Sequence, residues 1–194
     1  MVPVAQLVRA SVCGTEGRRF DPGRAPIGYN INSYMIAVLD NIRSGFNVGS
    51  ILRTADAAGF DKVYLCGITP APFDEFKHPR KQVTKVSLGA ENYVSWEYAK
   101  QTYRVLDNLK RSGFHIFAVE QNEKSTPYFR INLFPDDLER AVLVVGSEIG
   151  GLSATILARA DKILEIPMMG EKESLNVSVA FGIAAFHLRF NPKV

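Results

Sequence analysis

Three short stretches of this 194-residue sequence gather residues whose types and spacing could do chemistry. In the first, residues 40–55 (DNIRSGFNVGSILRTA), Asn47 stands where a helix should begin and Arg53 follows six residues later. That is nearly two helical turns, so the two side chains can face one side. An arginine there can hold a phosphate in a bidentate fork, as can Arg43 in the preceding loop. The plain alternative is that Asn47 caps the helix, Gly49 serves packing and the arginines cover surface. In the second stretch, residues 145–152 (VGSEIGGL), three glycines surround Glu148 and let the backbone approach a ligand closely. Read plainly, it is a turn followed by a helix start, with Glu148 favouring the helix dipole. The spacing is not the GxGxxG fingerprint and it comes late in the chain, so a dinucleotide-binding loop is not indicated. The third stretch is residues 166–183 (IPMMGEKESLNVSVAFGI). Pro167 breaks a strand, Gly170 permits a bend, and Ser174, Asn176 and Ser178 open a helix where free N–H groups collect. Each stretch alone could be ordinary capping and turning; all three together describe polar loops able to close around a small ligand.

A fourth feature is electrostatic. Lys77, His78, Arg80, Lys81 and Lys85 fall within nine residues that contain no acid. This is either a solvated loop or a patch that contacts phosphates. Global charge does not decide between them, because the net charge of +3 is small. Four arginines against two acids in residues 1–30 account for most of it. The composition, 46% hydrophobic and 22% charged, is that of a globular chain with enough length for a sizeable core. No apolar run reaches a membrane span. The two cysteines, Cys13 and Cys66, and the three scattered histidines show no metal-ligand spacing, so no metal is expected and a reducing, cytoplasmic setting fits.

The elements that must position these stretches alternate. Residues 35–39, 62–66, 115–119, 141–145 and 162–166 read as short buried strands, with 94–96 as a further one and 141–145 as the central one. Helices are expected over 47–58, 98–111, 153–160 (capped by Ser153) and 175–190, the last with Leu175, Val179, Ile183, Phe186 and Phe190 along one side. Residues 67–85 read as one long loop. The pattern predicts an α/β fold, a mostly parallel sheet with helices on both faces, whose ligands bind beyond the carboxyl ends of strands. Residues 1–34 are set apart: they are irregular, carry no secretory signal, and resemble the conceptual translation of a tRNA gene. Translation is therefore expected to begin at Met35, with the domain spanning 35–194.

The segments NVGSILRTA (47–55), VGSEIGGL (145–152) and IPMMGEKESLNVSVA (166–180), in this order, resemble the three motifs of the SpoU/TrmH family of SPOUT RNA 2′-O-methyltransferases. The similarity covers about residues 35–190, with Ser50 where the family often has Ala. The resemblance implies a C-terminal trefoil knot, S-adenosylmethionine as cofactor, a homodimer formed through the knot region, and methylation of a ribose 2′-hydroxyl in tRNA or rRNA. It assigns Gly146, Ile166 and Leu175 to the cofactor pocket, with Glu148, Gly151, Met168 and Asn176 close by and Val119 and Glu120 as walls. Arg53 becomes the motif arginine that works across the subunit interface, Asn47 and Glu148 orienting groups, and Ser174 and Asn176 groups that place the ribose or cofactor. Arg43, Arg53, Lys77, Arg80, Lys81 and Lys85 become RNA contacts. Two other classes stay open: a non-catalytic RNA-binding protein that kept the fold, against which the presence of Arg53, Glu148 and Asn176 speaks, and a nucleotide- or flavin-binding α/β protein, which lacks an early phosphate loop.

Overall fold

The computed structural model describes residues 33–190. The strands are β1 (Tyr34–Asp40), β2 (Lys62–Cys66), β3 (Ser95–Ala99), β4 (His115–Val119), β5 (Thr126–Pro127), β6 (Arg140–Val145) and β7 (Lys162–Glu165). They form one seven-stranded sheet in the order β3-β2-β1-β6-β4-β7-β5. Every pairing in it is parallel. The near-continuous Val, Ile and Leu of β1 and β6 fit strands covered on both faces, and β6 lies at the centre as its β-branched run predicts.

The helices are α1 (Gly45–Ala57), α2 (Lys81–Ser87), α3 (Thr102–Arg111), α4 (Pro135–Glu139), α5 (Ala154–Leu157) and α6 (Val177–Arg189). On one face Val48, Ile51, Leu52 and Ala55 of α1, with Phe181, Ala184, Ala185 and Leu188 of α6, pack on Ala37, Leu39, Leu143 and Val145. On the other face Val105, Leu106 and Leu109 of α3, with Ile156 of α5, cover Val38, Ile116, Val142 and Val144. Alternation along each strand thus feeds two separate cores.

The elements depart from expectation in several places: residues 98–99, expected to open a helix, extend β3, and β5 and α4 carry no sequence signal. Residues 67–85 are not one loop, because α2 begins at Lys81. Its partner surface is what makes it a helix: a Cβ on Gly49 would lie 2.4 Å from the Val83 carbonyl, so α2 sits directly on α1. Asn47 is not the cap of α1. Ser44 takes that place, its hydroxyl accepting from the Asn47 amide at 3.3 Å, which releases the Asn47 side chain for other work. Ser153 stands at the start of α5 but makes no side-chain cap bond. On α6 the stripe of Val179, Phe186 and Phe190 faces outward, while Phe181, Ala184, Ala185 and Leu188 are buried.

Of the segment 1–34 set apart in the sequence, residues 1–32 lie outside the described residues. Ser33 and Tyr34 are described and both serve the fold. The Ser33 hydroxyl accepts from Arg189 at 2.5 Å, and Tyr34 opens β1 with its ring against Phe114. Arg189 also donates to the carbonyls of Ala58 (2.7 Å) and Gly59, closing the end of α1.

Candidate functional site

The loop after β1 is set first. Asn41 takes a left-handed φ of 57°, and its side chain accepts from the Ile68 amide at 3.3 Å. The buried Thr69 hydroxyl accepts from the Ile42 amide at 3.0 Å. This fixes the next two amides, Arg43 and Ser44, and both donate to Glu148, at 3.0 and 3.1 Å. Asn47 Nδ2, from the third residue of α1, donates to Glu148 Oε1 at 2.8 Å. Partial burial pushes the Glu148 carboxyl up, but the Arg43 amide, the Asn47 side chain and the Ser44 amide outweigh it and hold it below the usual range.

The network continues into α6. Asn176 caps that helix, its Oδ1 accepting from the Ser178 amide (2.9 Å) and hydroxyl (2.7 Å). Its Nδ2 donates to Asn47 Oδ1 at 3.1 Å. Glu148, Asn47 and Asn176 therefore join the loops after β6, β1 and β7 in one line, with each amide oriented by its neighbour.

Beside this line lies a cleft of about 460 Å³ at the carboxyl ends of β4, β6 and β7. Val119 and Glu120 enter it from β4 and the residues that follow; Gly146, Glu148 and Gly151 from the loop after β6; and Ile166, Met168, Leu175 and Asn176 from the loop after β7. Ser174 lines it as well, without joining the hydrogen-bond line. All nine residues assigned by resemblance to a cofactor thus converge on one place. A Cβ on Gly146 would come within 2.4 Å of the Gly151 backbone, and Gly151 itself has a φ of +59°. The floor of the cleft is therefore bare main chain that tolerates no side chain. Glu120 clamps it, accepting from the Leu152 amide at 2.6 Å.

Gln121 was not anticipated. It lines the cleft and donates to the Glu173 carbonyl at 2.7 Å, tying the long loop after β7 to the end of β4. Its signal in the sequence was position alone: the second residue past a strand whose neighbours were already named.

The arginines and lysines lie elsewhere. Arg53 is exposed on α1, does not line the cleft, and makes no hydrogen bond or ion pair among the described residues. Six residues at about 100° each leave Asn47 and Arg53 roughly 120° apart, so they do not share a face as their spacing suggested. Arg43 contributes its backbone amide, while its side chain is exposed. Lys77 and Arg80 sit on the segment before α2, and Lys81 and Lys85 on α2, all exposed. Among the described residues no group of three or more His, Cys, Asp or Glu could hold a metal, and no helix is long and apolar enough to cross a membrane.

An all-parallel α/β sheet with its ligand cleft at strand carboxyl ends, beside the point where strand order reverses around β1 and β6, defines a cofactor- or nucleotide-binding class of domain. The family follows from comparison. Residues 34–186 match the SpoU rRNA Methylase family, and the chain belongs to it. It is 30% identical over 154 residues to the 23S rRNA (guanosine(2553)-2′-O)-methyltransferase RlmP of Bacillus subtilis, covering 79% of this chain and 57% of that one. An AdoMet-bound rRNA methyltransferase from Sinorhizobium meliloti superimposes with a TM-score of 0.70 at 28% identity, over 80% of this chain and 56% of that one. The Aquifex aeolicus TrmH/SpoU tRNA modifying enzyme does so with a TM-score of 0.68 at 29% identity, over 82% and 75%. The chain spans about 57% of the length of the curated relatives it matches.

Proposed function

We propose that this chain is an S-adenosylmethionine-dependent methyltransferase that modifies a ribose 2′-hydroxyl of tRNA or ribosomal RNA in the cytoplasm. The observation that carries this is that the stretches 145–152 and 166–183 line one cleft floored by Gly146 and Gly151, while the first stretch is tied to both through Asn47. The cleft suits the cofactor. Its volume of about 460 Å³ lies in the ordinary range for small-molecule sites. Val119, Ile166 and Leu175 offer apolar walls for an adenine ring, while Gln121, Ser174, Asn176 and the main chain offer polar partners to ribose and amino-acid groups. Bound there, S-adenosylmethionine supplies a methyl group on a sulfonium centre.

The protein's own part is orientation and electrostatics. Glu148, Asn47 and Asn176 hold three loops in register around the cleft mouth. Holding two reactants in attack geometry supplies on the order of 7–11 kcal/mol. Arg53 grips the phosphate next to the acceptor ribose and stabilises the negative charge that develops on its oxygen. A guanidinium, which stays protonated in proteins, is not the base that takes the hydroxyl proton. RNA is chosen over DNA because the acceptor is the 2′-hydroxyl itself.

Arg53 reaches a cleft only from a second subunit in this reading. Its exposure and its absence from its own chain's cleft lining support that arrangement. Gly182 of α6 faces Thr54, the residue after Arg53, so α1 and α6 adjoin at this point of the chain. Val179 (50% exposed) and Phe186 (43%) in the outward apolar stripe of α6 supply the surface for a homodimer through the C-terminal region. By the same family membership, residues 146–190 are read as threading a trefoil knot. A monomer at micromolar concentration in light scattering would overturn the shared site.

The decisive experiment is transfer from radiolabelled S-adenosylmethionine to separate tRNA and rRNA pools of a methylation-deficient strain. Label recovered as a 2′-O-methylnucleoside in one pool is the expected result. Failure to bind the cofactor by calorimetry would overturn the proposal. The start at Met35 is tested by intact mass of the protein from its native locus, where a species beginning at Met1 would refute it.

A further inference from the structure

Phe76 is anomalous within the basic stretch. Its ring is 78% exposed, among the most exposed large apolar side chains described. Yet the segment that carries it is tightly built. Phe73 bridges Pro79 in antiparallel fashion. The Asp74 amide donates to the His78 carbonyl and the Lys77 amide to the Asp74 carbonyl, each at 3.0 Å. The Asp74 carboxylate accepts from the amides of His78 (2.8 Å) and Phe76 (2.9 Å). Lys77 holds a left-handed φ of 65° at the turn, a conformation that these bonds must enforce. Below, the Phe73 ring stacks on Trp96 with centroids 6.3 Å apart. The turn is thus a rigid pedestal, and Phe76 is what it lifts into solvent, with the His78 ring as its one aromatic neighbour among the described residues, at 6.2 Å.

The surroundings of the ring are cationic. Lys77, Arg80 and Lys81 are all exposed, and none has an acid partner among the described residues. Asp74 is occupied by the turn and by His78 Nδ1 at 3.4 Å, which leaves Glu75 as the one exposed acid within the turn. The helix that follows the turn, α2, packs close to the site. A Cβ on Gly45 would meet Gln82 Cβ at 2.9 Å, and Gly45 directly follows Ser44, whose amide holds Glu148.

We propose that Phe76 is a base-stacking residue of the RNA site: its ring takes the face of an unpaired nucleotide while Lys77, Arg80 and Lys81 hold the adjoining phosphates. The proposal rests on the reading of RNA as substrate. Every base presents a π-face to an aromatic ring, and cations around the ring supply the backbone contacts, so the pairing is sequence-tolerant. A base inside a duplex has no free face, so the site selects loops and single-stranded segments.

The test uses the full chain with oligouridylate, with a blunt RNA duplex of equal length, and with the tRNA and rRNA pools. Phe76→Ala is expected to weaken oligouridylate binding about 5- to 150-fold while leaving duplex binding and the salt slope unchanged, because no phosphate contact is lost. KM for the methylated pool rises and kcat holds. Phe76→Tyr restores binding. Phe76→Trp, set against the emission of Trp96 in the parent protein, gains fluorescence that oligouridylate quenches and the duplex does not. An unchanged melting temperature for Phe76→Ala separates lost stacking from lost folding. Unchanged oligouridylate affinity, or an unquenched Phe76→Trp signal, in a protein that still methylates RNA overturns the stacking proposal alone and leaves the ring to a protein contact. A parent protein that neither binds nor methylates any RNA overturns the substrate reading, and the stacking with it.

Discussion

The cleft between β4, β6 and β7 and the surface running from Arg53 to the 73–79 turn are assembled on opposite terms. In the cleft the orienting polar groups are already matched within one chain. Glu148 has three donors, Asn176 links α6 to Asn47, and Gln121 and Glu120 clamp their neighbouring loops. On the other surface Arg53, Lys77, Arg80 and Lys81 have no ionic partner among the described residues, and Phe76 stands nearly bare. Saturated groups cannot reorganise cheaply, so the first region is preformed, as the proposed cofactor site requires. Unsaturated ones are free to meet a partner from outside, which under the proposed function is an RNA or a second subunit. Cofactor affinity and methyl transfer should therefore be separable by mutation.

The largest effect should come from Arg53→Ala. Methyl transfer is expected to fall about 10²- to 10³-fold, the scale for losing one stabiliser of developing charge, while calorimetric cofactor affinity stays put. Loss of cofactor binding in that variant would break the separation. The converse variant, Gly146→Val, places atoms within 2.4 Å of the Gly151 backbone. It should cost about 1–3 kcal/mol in stability and at least tenfold in cofactor affinity, read by thermal melts and calorimetry. Mixing the two inactive proteins sharpens the comparison. If Arg53 acts across the interface, random exchange should restore about a quarter of the parent activity, because heterodimers carry one intact site. No recovery would place Arg53 in its own chain's site.

Smaller effects follow on each side. Glu148 sits below its ordinary pKa of 4.5 in the folded chain, so it contributes stability above that pH and loses it as pH falls through the lowered value. Glu148→Gln should flatten the drop in melting temperature below pH 4.5, by at most about 2–4 °C for an exposed carboxylate. Neutralising Lys77, Arg80 and Lys81 together should reduce the slope of log affinity against log salt by about 2–3. An unchanged slope would make the patch mere solvated surface.

The cleft was more legible in the sequence than the exposed surface, for a physical reason. Strands buried on both faces announce themselves as apolar runs, and the loops after them must hold the ligand, so naming β4, β6 and β7 nearly names the cleft. Helix faces were harder. On α6 both sides are apolar, and periodicity could not tell that Phe181 and Leu188 turn inward while Val179 and Phe186 turn out. The Asn47 cap failed because Ser44, three residues earlier, competes for the same role and wins. The helix Lys81–Ser87 was hidden because it rests on Gly49, a tertiary contact with no local signature. The bond from Asn176 to Asn47 spans 129 residues, and no local pattern can carry it.

The strand order has a consequence for how the chain is born. β7, from the last fifth of the chain, slots between β4 and β5, which are made earlier. Until residues 162–165 leave the ribosome, one flank of β4 stays an open edge able to pair with another chain. The cleft is therefore completed only after β4 and β6 have been made. A nascent chain stalled before β7 would carry most of its hydrophobic cores and no cleft. It would depend on chaperones for longer than its modest size suggests, since nonlocal parallel pairing is slow to form.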